Sequence, residues 1–219
     1  MFKITAISLP ILSTLPFLFL FLFLSHADSS QLYDEEHAVL IKLKQPPPIT
    51  HWTPSNPSHC TWPEITCTRY SITRLYLNIT SITEIIPSFI SDLKNLTLPD
   101  LHYNYIHGQF PRVLLNCSKL PDDIDSLSRL RYFSLGSSNF AFDISASVWY
   151  LMELREINLY QNQFNGSFPP EIGNLHNLEI LGLAYNTKFL PSRLPSNFTQ
   201  LKELRTLWMV EVNLIGEIP

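Results

Sequence analysis

Cys60 and Cys67, with six residues between them, and the nearby His51 and His59 are the densest grouping of side chains suited to metal, redox or proton chemistry. The other candidates, Cys117, His102 and His107, are scattered. Zinc is held by thiolates and imidazoles at paired spacings such as CxxC or HxxxH, and neither spacing occurs here. Cys60 and Cys67 suit a disulfide in an oxidising compartment, which would stabilise the fold by roughly 2–3 kcal/mol through loop closure. The acidic run Asp122-Asp123-x-Asp125 lacks the glycine and closing glutamate of a calcium loop and reads as a solvated face. There is no Ser/His/Asp set recognisable by spacing, no glycine-rich phosphate loop, and no VAIK, HRD or DFG motif. The chain therefore reads as a non-enzyme that needs neither metal nor cofactor.

Other chemistry would be done to the chain rather than by it. Five Asn-x-Ser/Thr sequons, at Asn78, Asn95, Asn116, Asn165 and Asn197, fit an exported glycoprotein with glycans at surface positions. Asn56 is disqualified by the proline that follows it. Export has its own signal: Lys3, an alternating Phe/Leu run over 17–24, and Ser25-His26-Ala27, ending on the small residue that signal peptidase needs. Residues 1–27 read as a cleaved secretory leader. The rival is an uncleaved anchor over Ile4 to Leu24, which Pro10 and Pro16 make a poor membrane helix; no later segment is apolar enough to span. A formal charge of −4 gives no reason to expect a nucleic-acid partner.

The elements that must position these residues follow from a repeat. In the stretch 154–177, apolar residues fall at Leu154, Ile157 and Leu159, then come Asn162, Phe164, Gly166, Phe168-Pro169, Ile172 and Leu175. A 24-residue unit with an LxxLxLxxNxFxGxFP core lies in the leucine-rich-repeat range, each coil giving one short strand to a curved parallel sheet. Ile157 and Leu159 point inward, while Glu156, Asn158 and Tyr160 point to the other side, so recognition surface is built between the leucines. Asn162, where the chain leaves the strand, can satisfy turn backbone groups with its amide. Gly166 permits a backbone conformation that a side chain resists. Seventeen prolines against six glycines suit an array with proline in each turn.

Ahead of the repeats, residues 31–44 carry Leu32, His37, Leu40, Ile41 and Leu43, with acids in the first turn, as an amphipathic helix should. Gln45 and the prolines 46–48 end it. A solenoid needs an end cap, and Trp52 and Trp62 are the expected plugs. The helix, Trp52, and Cys60-Thr-Trp62-Pro-Glu-Ile-Thr-Cys67, leading into 24-residue repeats with Gly-x-(Phe/Ile)-Pro turns, resemble the ectodomain of plant leucine-rich-repeat receptor-like kinases. The phrases WPEITC, IIPSFISDLKNLT and PSRLPSNFTQL look most like the HAESA-like group. Where that family commonly has Gly after Trp-x, this chain has Glu64. The resemblance implies an α/β solenoid, a right-handed curved coil with a parallel concave sheet and a helical, disulfide-bonded N-terminal cap. It divides the chain into the leader 1–27, the cap 28–70 and about six to seven repeats over 71–219.

Taken in order, the repeats are uneven. In the first unit Leu75 and Leu77 face inward and Thr80 stands where Asn is expected. In the second, Pro99 takes a strand position, removing a ladder donor, and Cys117 falls at the inward position of Leu175 as a buried thiol. In the third, Leu120 is joined directly to Pro121, so this coil should add no full strand and 116–129 should form an enlarged convex connection. In the next, Phe142 and Ser145 replace the turn Gly and Pro, and Asn139 comes one place late. The last unit, from Leu204, stops at its turn and should leave apolar core exposed.

Stacking the strands lines up Tyr76, Asp100, Ser134, Asn158, Gly182 and Trp208, and beside them Asn78, His102, Gly136, Tyr160, Ala184 and Val210. Of these, Tyr76, Asp100, His102, Ser134, Asn158, Tyr160 and Trp208 are the candidate binding face, suited to an extended peptide or a protein partner. A glycan on Asn78 would block ligand at the first strand. The resemblance implies the peptide-sensing part of a cell-surface receptor, with a secreted peptide or protein ligand and a co-receptor, cut off before the membrane span and kinase. A second reading is a secreted interaction protein of the apoplast, an inhibitor or decoy. A third is a gene fragment whose damaged repeats fold poorly.

Overall fold

The computed structural model describes residues 31–43, 49, 52–55, 58–78, 80–112, 114 and 130–219. The leader, the prolines 46–48, the sequon Asn116, Cys117 and the acidic run after Pro121 lie outside the described residues.

The first described element is helix α1, residues 31–43, which sets Val39 and Leu40 into the core. Trp52 and Trp62 close the end of the coil as expected: they are 0% and 3% exposed and their rings stack at 5.1 Å. The unusual Glu64 has a job there, because its Oε2 accepts the indole N–H of Trp52 at 3.1 Å. The disulfide Cys60–Cys67 is formed, with Cα atoms 5.5 Å apart. It ties the turn ahead of strand β1 (Ile65–Thr68) to the strand itself, and β1 runs antiparallel to β2 (Ser71–Tyr76). One acid of α1 is not on the solvent face that its place in the first turns suggests. Glu36 is fully buried, accepting from Ser71 Oγ at 2.6 Å and from the Ile72 amide at 2.9 Å, with His59 Nε2 3.9 Å away.

From β2 onward the strands are parallel and each is one coil's contribution: β3 (Leu98–Asp100), β5 (Tyr132–Ser134), β7 (Glu156–Asn158), β9 (Ile180–Gly182) and β10 (Thr206–Trp208). Leu75, Phe133, Ile157 and Leu181 fill the core from the strands, and Leu77, Leu135, Leu159 and Leu183 from just beyond them. The third unit itself lies outside the described residues, and among these β3 pairs directly with β5. That rung is also the thinnest. β5 and β7 pair through three consecutive residues, whereas β3 and β5 pair only at Asp100 and Ser134, as follows when Pro99 brings no N–H to the ladder.

A second parallel sheet was not foreseen: β4 (His107–Gln109), β6 (Asn139–Asp143) and β8 (Gln163–Asn165). Behind it the coils return through 3-10 turns at Ser88–Asp92, Ala146–Tyr150, Pro170–Asn174 and Ser196–Gln200. Each turn is preceded by an extended residue, Pro87, Ser145, Pro169 or Pro195. Proline fixes that φ by its ring, and Ser145 holds φ −56° without one. Phe142, in the place of the turn glycine, is forced to φ +68°, close to the +83° of Gly166. At the far end, Leu204, Leu207 and Met209 are only partly buried, unlike Leu178, Leu181 and Leu183.

The two sheets are joined at their shared corner by asparagines. Asn162 Nδ2 donates to the carbonyls of Leu135 at 2.9 Å, Leu159 at 3.2 Å and Tyr160 at 3.2 Å, while its Oδ1 accepts the amide of Phe140 at 3.1 Å. Asn104 and Asn186 repeat the pattern, one toward Leu77, Leu101 and Ile82, the other toward Leu159, Leu183 and Phe164. Thr80 stands in at the first coil, its Oγ1 donating to the Leu77 carbonyl and lying 3.2 Å from Asn104 Oδ1. The series breaks at Ser138, which is buried at the asparagine position with its Oγ unpartnered.

Ser138→Asn should therefore extend the series, its amide reaching the Leu101 carbonyl and the Ile106 N–H, and raise stability by about 1 kcal/mol in urea unfolding. A lower stability would show that the corner at Ser138 has no room for the amide. A second expectation concerns pH. Burial raises the Glu36 pKa, against the lowering effect of its bonds from Ser71 and Ile72. A carboxyl that binds its proton more tightly when folded contributes stability fully below its unfolded pKa and loses it as pH rises through the folded one. Stability should fall across that acidic range as pH rises, and Glu36→Gln should flatten the dependence. An identical pH profile in the variant would contradict it.

Candidate binding face

The middle row of the expected face forms in register. Tyr76 pairs with Asp100, Asp100 with Ser134, Ser134 with Asn158, Asn158 with Gly182, and Gly182 with Trp208. The side chains of one strand position thus lie side by side about 4.8 Å apart on the open side of the sheet. The row beside it continues the coil beyond the strands: the amides of Leu101, Leu135, Leu159 and Leu183 donate to Ser134, Asn158, Gly182 and Trp208 carbonyls in turn.

Tyr160 behaves differently from the solvated residue expected at its place. It is 8% exposed because its ring lies flat over Gly136, where an added Cβ would come within 2.4 Å of the ring. Its neighbours are Trp208, with ring centroids 4.9 Å apart, and Tyr103, at 6.1 Å edge to face. Tyr103 in turn meets His102 at 4.9 Å, and Trp208 meets Tyr185 at 6.1 Å. Burial, followed by the neighbouring Tyr103 hydroxyl, pushes the Tyr160 phenol up to about 12. The phenol therefore stays protonated at every pH a plant or animal fluid reaches.

Beside Tyr160 the face dips into a hollow of about 230 Å³. Tyr76, Tyr132 and Tyr160 contribute rings to its wall, and Asp100 and Glu156 contribute carboxyls. His102 Nδ1 contacts Asp100 Oδ1. The Glu156 pKa is raised, first by burial and then by the charge of Asp100. Three arginines near the strand starts are engaged elsewhere, Arg155 with Glu179 at 2.8 Å, Arg205 with Glu179 at 3.8 Å and Arg131 with Glu153 at 3.8 Å, whereas Arg74 donates to the Tyr76 hydroxyl at 3.4 Å.

Sequence reasoning placed Tyr76, Asp100, His102, Ser134, Asn158, Tyr160 and Trp208 on this side, and the structure brings them together. It missed Tyr103, Tyr185, Tyr132 and Glu156. Tyr103 and Tyr185 occupy one recurring place, immediately before the corner asparagine, where Ser137 and Gln161 also stand; all four have φ between 52° and 60°. Aligning the units on that place would have shown two aromatic residues in it. The sequons divide. The side-chain nitrogen that would carry a glycan donates to Ser71 Oγ in Asn95 and to the Pro170 carbonyl in Asn197. Asn78 and Asn165 are half-buried and show no such bond among the described residues. The sulfurs of Cys60 and Cys67 lie near His59, but disulfide sulfur is not the thiolate that zinc requires.

Gly136→Ala tests the packed floor. The methyl group must lift Tyr160, so stability should drop by about 1–3 kcal/mol and intrinsic fluorescence should change as Trp208 loses its partner. An unchanged melt and spectrum would place the Tyr160 ring elsewhere.

Comparison with known proteins agrees with this architecture. A Leucine Rich Repeat family model matches residues 153–175, overlapping the unit of clearest pattern. Receptor-like protein 13 of Arabidopsis thaliana is 31% identical over 151 residues, covering 62% of this chain and 14% of that protein. The chain thus spans about a seventh of the length of that relative. The Arabidopsis receptor kinase HAESA, solved in complex with the peptide hormone IDA and the co-receptor SERK1, superposes with a TM-score of 0.65 at 25% identity, over 84% of this chain and 35% of that one. The LRR ectodomain of the receptor kinase SOBIR1 from Arabidopsis thaliana gives a TM-score of 0.57 at 26% identity, over 68% of this chain and 74% of that one. No described helix is long and apolar enough to cross a membrane. The chain folds as a leucine-rich-repeat solenoid similar to the ectodomains of plant receptor-like proteins and receptor kinases.

Proposed function

We propose that this solenoid is an extracellular binding module of signal perception, whose open sheet face holds a secreted peptide or another protein without chemical change. The observation that carries the reading is the in-register row from Tyr76 to Trp208, a rigid surface of aromatic and polar side chains with no need to order itself on binding. HAESA, with its bound peptide hormone and co-receptor, supports a peptide ligand and a co-receptor as partners. The same likeness supports the finer assignment to the HAESA-like group. The division into leader 1–27, cap 28–70 and repeats 71–219 belongs to this reading, as does secretion to the apoplast or plasma membrane surface. Glycosylation of the sequons belongs to the same reading, with the Asn95 and Asn197 amides engaged within the fold and a glycan on Asn78 restricting ligand at the first strand.

The test is a random peptide display library selected on the folded chain. Selected peptides should lose binding to Ser134→Arg, in the middle of the face, and keep it with Glu171→Arg on the opposite side. Selected peptides indifferent to Ser134→Arg would overturn the proposal.

A further inference from the structure

The open face is uneven in chemistry. At one end, rings from four coils form a strip: His102 and Tyr103, Tyr160, then Trp208 and Tyr185, with successive centroids 4.9 to 6.1 Å apart. These spacings suit aromatic pairs, yet Tyr103, Tyr185 and Trp208 remain 51%, 41% and 38% exposed. A strip held flat by mutual packing and still wet on its outer side offers apolar contact at little entropic cost.

Next to it lies the hollow with its two carboxyls. The facing groups are Asp100, His102 and Glu156, together with the phenols of Tyr76, Tyr132 and Tyr160. Among the described residues the Glu156 carboxyl has neither a hydrogen bond nor an ion pair; Arg131, Arg155 and Arg205 are bound to Glu153 and Glu179, and Arg74 reaches the Tyr76 hydroxyl at 3.4 Å. The hollow therefore combines the unpaired Glu156 carboxyl and the His102-bonded Asp100 carboxyl with three tyrosine side chains, surroundings in which a cationic side chain gains both ion pairing and cation–π attraction. From β3 to β10 there are four inter-strand steps of about 4.8 Å, roughly 19 Å, the length of about six extended residues. The hollow and the Trp208 end of the strip are about four such residues apart.

We propose that hollow and strip form one docking track for an extended peptide that seats an arginine or lysine between Asp100 and Glu156 and lays a large apolar side chain on Tyr160, Trp208 and Tyr185. The proposal rests on the binding-module reading and names the ligand class of the same face.

The probe is the peptide acetyl-Arg-Ser-Gly-Ser-Phe-Gly-amide, titrated onto the intact chain by calorimetry. Two control peptides replace Arg by citrulline, which keeps shape and loses charge, or Phe by Gly. The Arg peptide should bind about ten-fold more tightly than the citrulline peptide at low salt, and the gap should close in the Asp100→Asn, Glu156→Gln double variant. The Phe-to-Gly peptide should be weakened by a similar factor on the parent chain and equally weak on Trp208→Ala. Circular-dichroism melts matching the parent show that the variants fold. Equal binding of the Arg and citrulline peptides, or no binding of either to folded protein, overturns the proposal. If library-selected peptides still depend on Ser134 but carry no basic residue, the face remains a peptide site and only the cationic preference falls.

Discussion

Where the described coils turn from the first sheet toward the second, backbone carbonyls and amides face inward with no strand to pair them. A buried backbone polar group left unpaired costs about 1–3 kcal/mol, so a solenoid that repeats the corner repeats the cost. The corner asparagine removes it. Its carboxamide has donors and an acceptor at once, enough to reach a carbonyl and a strand amide of the preceding coil and carbonyls of its own coil. Because each amide bridges two coils, it also sets their spacing, and the aligned row on the open face follows from that spacing.

That logic explains how a repeat with several faults still folds. Pro99 thins the rung between β3 and β5, and Phe142 accepts a left-handed backbone, yet one buried cluster runs from Val39 in the cap to Val212. Leucines arrive in register at every coil, so each fault is local. The face inherits the same rigidity: Tyr160 is pinned over Gly136 by neighbours on other coils, and ligand would meet a surface already shaped.

Much of this was readable in advance because the period of the repeat and the alternation of the strand are both written in side chains. Ile157, Leu159, Asn162 and the row through Asn158 needed only counting. Hidden features depended on partners far away in the chain. The burial of Glu36 requires Ser71 and Ile72, and an acid in the first turns of a helix ordinarily faces water. The tilt of Tyr160 requires a glycine one coil earlier. The second sheet is made of segments such as His107–Gln109 and Gln163–Asn165, too short and too polar to show strand alternation. Tyr103 and Tyr185 were overlooked because they sit past the strand, at a place governed by backbone φ rather than by side-chain period.

The claim beneath all of this is that carboxamides inside the corner hold neighbouring coils together. Side-chain amide hydrogen exchange followed by NMR tests it most directly. The Nδ2 protons of Asn104, Asn162 and Asn186 should exchange far more slowly than those of the exposed Asn139, with protection close to that of the core strands. Exchange of all three as fast as Asn139 would mean that the amides are not bound in the corner, and that something else sets the spacing of the coils.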